Sequence, residues 1–313
     1  MVIKKMKKII ITTLIIGLTI ALTIMGLTYF YKDEIYIYYR DSIKKVQESI
    51  TINKNEYYNK NEYTYFKNTD NFVAENKQDL INIIYTIANS GNKTFNFYCS
   101  KEYKNCINDV TNISNDKNTL AYINNFVHPL NQFTKINILY NKYNEISVNI
   151  TKTYTEDEIN YINNEVDKII KDKIKDNMTN KQKIKAIHDY IIDNNKYATD
   201  KIRNENPNAT YSKANYMLQN HYGICSSYSD LMSIFLYRFN INNIRISSKT
   251  HIWNLVKLNN KWYHLDLTWD DPIMSDGSDR LETLFFLINS KRLKELNVGE
   301  HNYNQDVFKE AIK

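Results

Sequence analysis

Three residues that together could carry out nucleophilic chemistry occur in order in the second half of the chain: Cys225, His251 and Asp266. A cysteine thiolate is a strong nucleophile, and an imidazole can accept a proton and return it. A carboxylate beside the imidazole can hold its ring in one orientation. The sequence therefore predicts a site with Cys225 as nucleophile, His251 as general base and acid, and Asp266 as the residue that orients the histidine.

The surroundings of Cys225 decide whether it is reactive, because a lone cysteine is more often a small buried side chain. Gly223, one of only six glycines in the chain, stands just before it. After it, apolar side chains recur at helical spacing from Tyr228 to Phe239. Cys225 is therefore expected in the first turn of a helix, where unpaired N–H groups and the positive end of the helix dipole favour a thiolate.

The segments that carry His251 and Asp266 alternate as strands do. Strands are predicted at 243–247, 251–258 and 261–267, and the polar pair Asn259-Asn260 predicts a tight hairpin between the last two. In that hairpin Asp266 lies diagonal to His251 on the same face, so the two side chains can hydrogen-bond. The alternative is a core histidine and a strand-end carboxylate without a function. Their combination with Cys225 favours the site.

Three short motifs surround these residues: Gly223-Ile224-Cys225-x-x-Tyr228, His251-x-Trp253-Asn254, and Trp262-Tyr263-x-x-Asp266-x-Thr268-Trp269-Asp270. Together they resemble the transglutaminase-like core, a branch of the papain-like cysteine-enzyme fold. The resemblance extends back through His188 to about residue 150. It implies an α+β fold class in which a nucleophile helix packs on an antiparallel sheet. It also implies the roles of nucleophile, general base and acid, and orienter for Cys225, His251 and Asp266.

The resemblance leaves the reaction open between several outcomes. The residues imply acyl transfer from a peptide or protein amide through a thioester on Cys225. Transfer to water would make the protein a peptidase or amidase, a hydrolase, whereas transfer to an amine would make it a transglutaminase-type acyltransferase. The family also contains catalytically inactive members, so the alternative is a cell-surface binding or scaffolding module.

The N-terminal region has the pattern of a membrane-spanning helix. A lysine cluster at residues 4–8 precedes a run without charge at residues 9–30, and this run is long enough as a helix to cross a hydrocarbon core of about 30 Å. We expect residues 1–8 in the cytoplasm, a transmembrane signal anchor at 9–30, and the remainder extracellular. The competing interpretation, a cleaved signal peptide, normally has an apolar region of about 7–15 residues before a small-residue cleavage site.

The remaining chain divides into three predicted parts. Residues 31–70 are predicted to form a stalk, residues 71–153 a small α+β module, and residues 154–313 the transglutaminase-like catalytic domain. The expected partners are the lipid bilayer and a peptide or protein substrate. The net charge of +6 is diffuse and gives no electrostatic case for nucleic acid.

Cys99 and Cys106 form either a disulfide or two ordinary buried cysteines, since an exported chain can oxidise such a pair. We expect neither a cofactor nor a metal, because the six histidines are scattered and the sequence has no C-x-x-C motif. The acidic stretch from Asp270 to Asp279 does not match a calcium-binding loop and is predicted to be a solvated turn.

Overall fold

A computed structural model of the chain describes residues 2–38, 51–272 and 282–313. The N-terminal helix α1 (Val2–Phe30) contains the predicted anchor at 9–30, and residues 32–38 are also helical. Helix α1 is long and apolar enough to cross a membrane, and none of its most apolar stretch is buried against the rest of the protein. The predicted helix over residues 9–30 is therefore confirmed.

The globular part mixes helices and strands. The helices that follow in the described residues are α2 (Lys77–Asn89), α3 (Cys106–Asn115), α4 (Lys117–Phe126), α5 (Glu156–Lys173), α6 (Asn180–Asn194), α7 (Asp200–Glu205), α8 (Ala214–Asn220), α9 (Cys225–Arg238) and α10 (Ser290–Leu296). The strands are β1 (Val73–Ala74), β2 (Thr94–Cys99), β3 (Phe133–Tyr140), β4 (Glu145–Lys152), β5 (Lys196–Tyr197), β6 (Tyr222–Gly223), β7 (Asn243–Ser247), β8 (Ile252–Leu258) and β9 (Lys261–Leu265). Short 3₁₀ turns occupy Pro129–Asn131, Gly299–His301 and Lys309–Ile312.

The first sheet has the strand order β1-β2-β4-β3 and lies within the predicted module at 71–153. Strands β3 and β4 form an antiparallel hairpin, and Asn144 in their connection has a positive φ of 59°. Cys99 at the end of β2 and Cys106 at the start of α3 are joined by a disulfide, with their Cα atoms 6.0 Å apart. The structure thus selects the disulfide from the two alternatives that the sequence leaves open.

The second sheet, β7-β8-β9, is antiparallel and carries the candidate site at one end. Leu258 pairs with Lys261 across the two-residue turn, and Asn259 and Asn260 have φ values of 49° and 62°. A tight hairpin of this kind needs positive φ at both central residues, which asparagine tolerates. The predicted hairpin is confirmed.

Both faces of this second sheet are buried. Ile244, Trp253 and Leu255 share one hydrophobic core with the helices and strands of residues 71–153. Val256 and Leu265 belong to the other core, which contains the apolar face of α9. A helix packed on an antiparallel sheet is the arrangement that the resemblance implies, and the α+β fold class is confirmed.

Residues 51–70 differ from the predicted stalk. Tyr63 and Phe66 are buried in the same core as Phe126, and the Asn59 side chain donates to the Phe126 carbonyl at 3.1 Å and to the Tyr237 hydroxyl at 2.9 Å. This segment has no helical or alternating period because it packs as irregular backbone, with asparagine side chains satisfying its polar groups. The globular part therefore begins near residue 52 rather than 71. Residues 39–50 of the predicted stalk lie outside the described residues.

Candidate active site

Cys225 is the first residue of α9, as its sequence context predicts. The chain enters the helix from β6, and a side chain on Gly223 would collide with Ser227 Oγ and Met217 Sδ. Only glycine allows this close approach. Ser227 Oγ also accepts a hydrogen bond of 3.0 Å from the Ile224 N–H. These contacts fix the backbone that presents the partly exposed Cys225 thiol, which is free while the other two cysteines are joined.

His251 and Asp266 meet at the end of the second sheet. His251 directly precedes β8 and Asp266 directly follows β9, so the hairpin register brings them onto neighbouring positions. The distance from His251 Nε2 to Asp266 Oδ2 is 2.6 Å. Only 6% of His251 and 1% of Asp266 are exposed to solvent. A charge-assisted hydrogen bond in such a dry setting is strong.

The electrostatics of this pair favour the ionised form. Burial alone would lower the pKa of His251, but the charge and hydrogen bond of Asp266, together with a hydrogen bond to Cys225, raise it to about 10. Burial alone would raise the pKa of Asp266, but the donors on His251 and His301 outweigh it and lower the pKa. Because Asp266 occupies Nε2, Nδ1 is the ring nitrogen left for the Cys225 thiol. The three predicted side chains therefore lie together, with Asp266 bonded to His251 Nε2 and Cys225 close enough to affect the pKa of His251.

Asp266 accepts further hydrogen bonds that explain its motif. Its Oδ1 accepts from the backbone N–H groups of Thr268 at 3.0 Å and Trp269 at 3.3 Å. Its Oδ2 also accepts a hydrogen bond from a second imidazole, that of His301, whose Nε2 lies 2.8 Å away. Four donors thus satisfy a buried carboxylate that would otherwise be costly to ionise.

His301 is a site residue that sequence reasoning misses. It lies in the 3₁₀ turn Gly299–His301, which follows α10 and is outside the quoted motifs. No local pattern marks it, since its partner Asp266 is distant in sequence.

Trp253 and Asn254 hold His251 in place. The Trp253 ring lies nearly parallel to the His251 ring, with centroids 5.6 Å apart, and its Nε1 donates to His264 Nδ1 at 3.0 Å. Asn254 Nδ2 donates to the Ser229 carbonyl at 2.9 Å. Because Ser229 lies one turn after Cys225 on α9, this bond ties the histidine strand to the nucleophile helix.

A buried polar seam lies between α9 and β7. Asp230 forms an ion pair with Arg245, and Ser233 Oγ donates to Asn243 Oδ1 at 2.5 Å. The Arg245 guanidinium also donates to the Asn124 carbonyl in α4. Arg245 thus connects the nucleophile helix, the sheet and the N-terminal module.

Asp270 and Asp271 are buried, so the predicted solvated turn is wrong for these two residues. His188 Nε2 lies 3.1 Å from Asp270 Oδ2, and the Tyr228 hydroxyl donates to Asp271 at 2.5 Å. The burial of His188 opposes its charged form, but hydrogen bonds with Asp189 and Asp270 raise its pKa. These contacts tie the loop after Asp266 to α6 and α9. Residues 273–281, which contain the rest of the acidic stretch, lie outside the described residues.

Tyr197 lies beside the nucleophile because β5 and β6 pair in parallel, with Tyr197 opposite Gly223. Burial and the nearby Cys225 both raise the pKa of the Tyr197 phenol, so it remains protonated at neutral pH.

His251, Asp266 and His301 are buried together, with their polar atoms all within 4.8 Å of one another. The two ring nitrogens lie 2.6 and 2.8 Å from one carboxylate oxygen, and these are distances of charge-assisted hydrogen bonds. We therefore interpret the cluster as hydrogen-bonded rather than as a metal centre.

The fold and these side chains define a class of protein, a mixed helix-and-sheet protein with a site typical of cysteine enzymes. Residues 167–267 match the family model described as the transglutaminase-like superfamily, and the chain therefore carries a transglutaminase-like domain. The matched segment contains Cys225, His251 and Asp266.

Three solved structures are similar to parts of this chain. A protein described as a TGase has 13% identity and a TM-score of 0.32, over 48% of this chain and 47% of its own. A candidate cysteine protease from Cytophaga hutchinsonii has 12% identity and a TM-score of 0.27, over 43% and 61%. A candidate protease from Parabacteroides distasonis has 10% identity and a TM-score of 0.23, over 47% and 40%. The chain thus spans about half the length of these proteins. No curated protein matches the chain significantly.

Proposed function

We propose that this protein is a membrane-anchored cysteine enzyme that acts on peptide or protein amides through Cys225, His251 and Asp266. The observation that carries the proposal is the position of His251, which bonds Asp266 through Nε2 and lies close enough to Cys225 for the thiol to affect the pKa of the imidazole. This is the order of contacts that an activated thiol requires.

The proposed reaction has two steps. The Cys225 thiolate attacks the amide carbonyl, the C–S bond forms, and the C–N bond breaks as His251 gives its proton to the departing amine. The backbone N–H of Cys225, at the start of α9, is the first candidate donor to the oxyanion. In the second step, water or an amine attacks the thioester, His251 takes its proton, and the Cys225 thiolate leaves.

We place this chemistry outside the cell membrane, with the N-terminus inside. Two observations support this placement. Helix α1 is long and apolar enough to span a bilayer and follows a lysine cluster. The Cys99–Cys106 disulfide fits an oxidising compartment, since cytosolic thiols are kept reduced.

The first test is the alkylation of Cys225 by iodoacetamide in the full-length protein, compared with His251→Ala. We expect the wild type to react about tenfold faster at pH 7, because the imidazolium stabilises the thiolate. Cys225→Ser is the control for labelling elsewhere. Equal rates in the wild type and His251→Ala at every pH would contradict the proposal and favour a binding or scaffolding role.

A second test distinguishes acyl transfer to an amine from hydrolysis of the peptide bond. The protein is incubated with an unfolded protein substrate, with and without a primary amine. Ammonia release with amine incorporation would indicate acyl transfer, and new peptide termini would indicate proteolysis. Cys225→Ala should abolish either product.

A further inference from the structure

His301 and His251 share one carboxylate oxygen. Their Nε2 atoms lie 2.8 Å and 2.6 Å from Asp266 Oδ2. His301 is 5% exposed and lies beyond residues 167–267, the segment that matches the family model. Two imidazoles that converge on one buried oxygen must divide its negative charge between them.

The ring of His301 is held by aromatic contacts. It stacks on Phe285 with centroids 5.0 Å apart and an angle of 17°, and it meets the edge of Trp253 at 4.8 Å. Its Nδ1 is buried and has no hydrogen-bond partner among the described residues. A proton on Nδ1 would be an unsatisfied buried donor, whereas a proton on Nε2 can be donated to Asp266 Oδ2.

The titratable groups that face this cluster are few among the described residues. Asp266 and His251 face His301 directly, and Cys225 lies on the other side of His251. Burial lowers the pKa of His264 to about 3, so His264 is uncharged. The charge that His301 can influence is therefore that of Asp266 and, through it, that of His251.

We propose that His301 is a positioning residue of the site, an inference that rests on the proposed function. By donating Nε2–H to Asp266 Oδ2, it neutralises part of the carboxylate charge and limits how tightly Asp266 holds the proton on His251. That limit matters because His251 must release this proton to the departing amine. Without His301, the ion pair still forms, but His251 becomes a weaker acid.

The experiment compares two variants of similar shape in the full-length protein in detergent. His301→Gln can still donate an N–H to Asp266, whereas His301→Met cannot. The readout is the ratio of the Cys225 alkylation rates with iodoacetate and iodoacetamide as pH rises. The anionic reagent is favoured only while His251 is positively charged, so the midpoint of the fall in this ratio reports the proton on His251.

We expect His301→Met to move that midpoint upward by about one pH unit, because Asp266 then interacts with His251 alone. His301→Gln should keep the wild-type midpoint. In an Asp266→Asn background, His301→Met should cause no further shift, because His301 acts through Asp266. If His301→Met does not fold, His301→Phe offers a second side chain without a donor that retains stacking on Phe285.

A measurement on the wild type tests the proton position directly. Nuclear magnetic resonance of ¹⁵N-histidine-labelled protein at pH 7 should show His301 with one protonated and one bare ring nitrogen, and His251 with both protonated. A doubly protonated His301, or an unchanged midpoint in a folded donor-free variant, would overturn the role of His301. A flat reagent ratio in the wild type would instead refute the proposed function, so the two failures are distinguishable.

Discussion

Asp266 is the residue that unites the candidate site, because its buried carboxylate accepts four hydrogen bonds. Two come from backbone N–H groups and two from imidazoles. The backbone donors fix the position of the carboxylate, and the imidazoles divide its charge. A neutral group at this position would remove the charge but leave most of the geometry.

Asp266→Asn should therefore keep the fold and lower turnover by about a thousandfold or more, since His251 would lose the carboxylate that orients and charges it. The measurement is kcat/KM with whichever amide substrate the second test identifies, together with the thermal unfolding midpoint. Asp306→Asn changes an exposed carboxylate and serves as control. Wild-type turnover in Asp266→Asn would remove Asp266 from the mechanism.

The His251–Asp266 pair also predicts a pH dependence of stability. The pKa of His251 is raised from 6.5 to about 10 in the folded protein, so its contribution is complete below pH 6.5 and is lost as pH rises toward 10. Asp266, whose pKa is lowered, contributes above its unfolded value and loses its contribution in acid. The difference in unfolding midpoint between the wild type and His251→Gln should therefore shrink from pH 6.5 to pH 10. A constant difference over this range would contradict an ionised pair.

At the scale of elements, two structures bring the site together: the turn that enters α9 and the β8–β9 hairpin. The hairpin could be predicted because Asn259 and Asn260 have a strong local preference for its turn. The start of α9 could be predicted because Gly223 precedes a helical apolar pattern. Both signals are local in sequence, and the structure reproduces them.

What could not be predicted from the sequence depends on contacts between distant segments. His301 reaches Asp266 from an irregular stretch near the C-terminus, so no periodic pattern marks it. The packing of Tyr63 and Phe66 has the same cause, because residues 51–70 follow the surface that other elements provide. Asp270 and Asp271 resemble a solvated turn in composition, but His188 and Tyr228 satisfy them in the interior.

The turn before Cys225 gives a test with a matched control. In Gly223→Ala the added methyl group would meet Ser227 and Met217, whereas nothing lies within 4 Å of a methyl group at Gly299. We expect Gly223→Ala to lower the free energy of unfolding by about 1–3 kcal/mol and to slow Cys225 alkylation. Gly299→Ala should leave the free energy of unfolding and the rate of Cys225 alkylation nearly unchanged, although Gly299 lies close in sequence to His301. Similar behaviour of the two variants, measured by denaturant unfolding and labelling, would contradict the close approach at Gly223.

At the scale of the whole molecule, the second sheet belongs to two cores at once. Its Trp253 face packs with residues 52–150, and its Val256 face packs with α9. The boundary that the sequence suggests near residue 153 separates the predicted module at 71–153 from the predicted catalytic domain at 154–313. It does not separate two hydrophobic cores, because the N-terminal module covers one face of the sheet that carries His251.

Arg245 links the N-terminal module to the nucleophile helix through polar contacts. Its guanidinium forms an ion pair with Asp230 in α9 and donates to the Asn124 carbonyl in α4. Only 2% of Arg245 is exposed. If the N-terminal module were absent, this guanidinium would lose a carbonyl acceptor, and the apolar side chains around Trp253 would face water. The module is therefore part of the scaffold of the site.

A chain that begins at residue 154 should consequently fail to fold as a stable monomer, although it contains every residue of the matched family segment. Exposed Ile244, Trp253 and Leu255 would make it aggregate or bind a hydrophobic dye. A chain that begins at residue 51 keeps both faces of the sheet covered and should unfold in one cooperative transition with Cys225 still reactive. The comparison uses calorimetry, dye binding and Cys225 alkylation on both truncations. A soluble, cooperatively folding 154–313 fragment with a reactive Cys225 would show that the module is dispensable and that the site is held by α9 and the sheet alone.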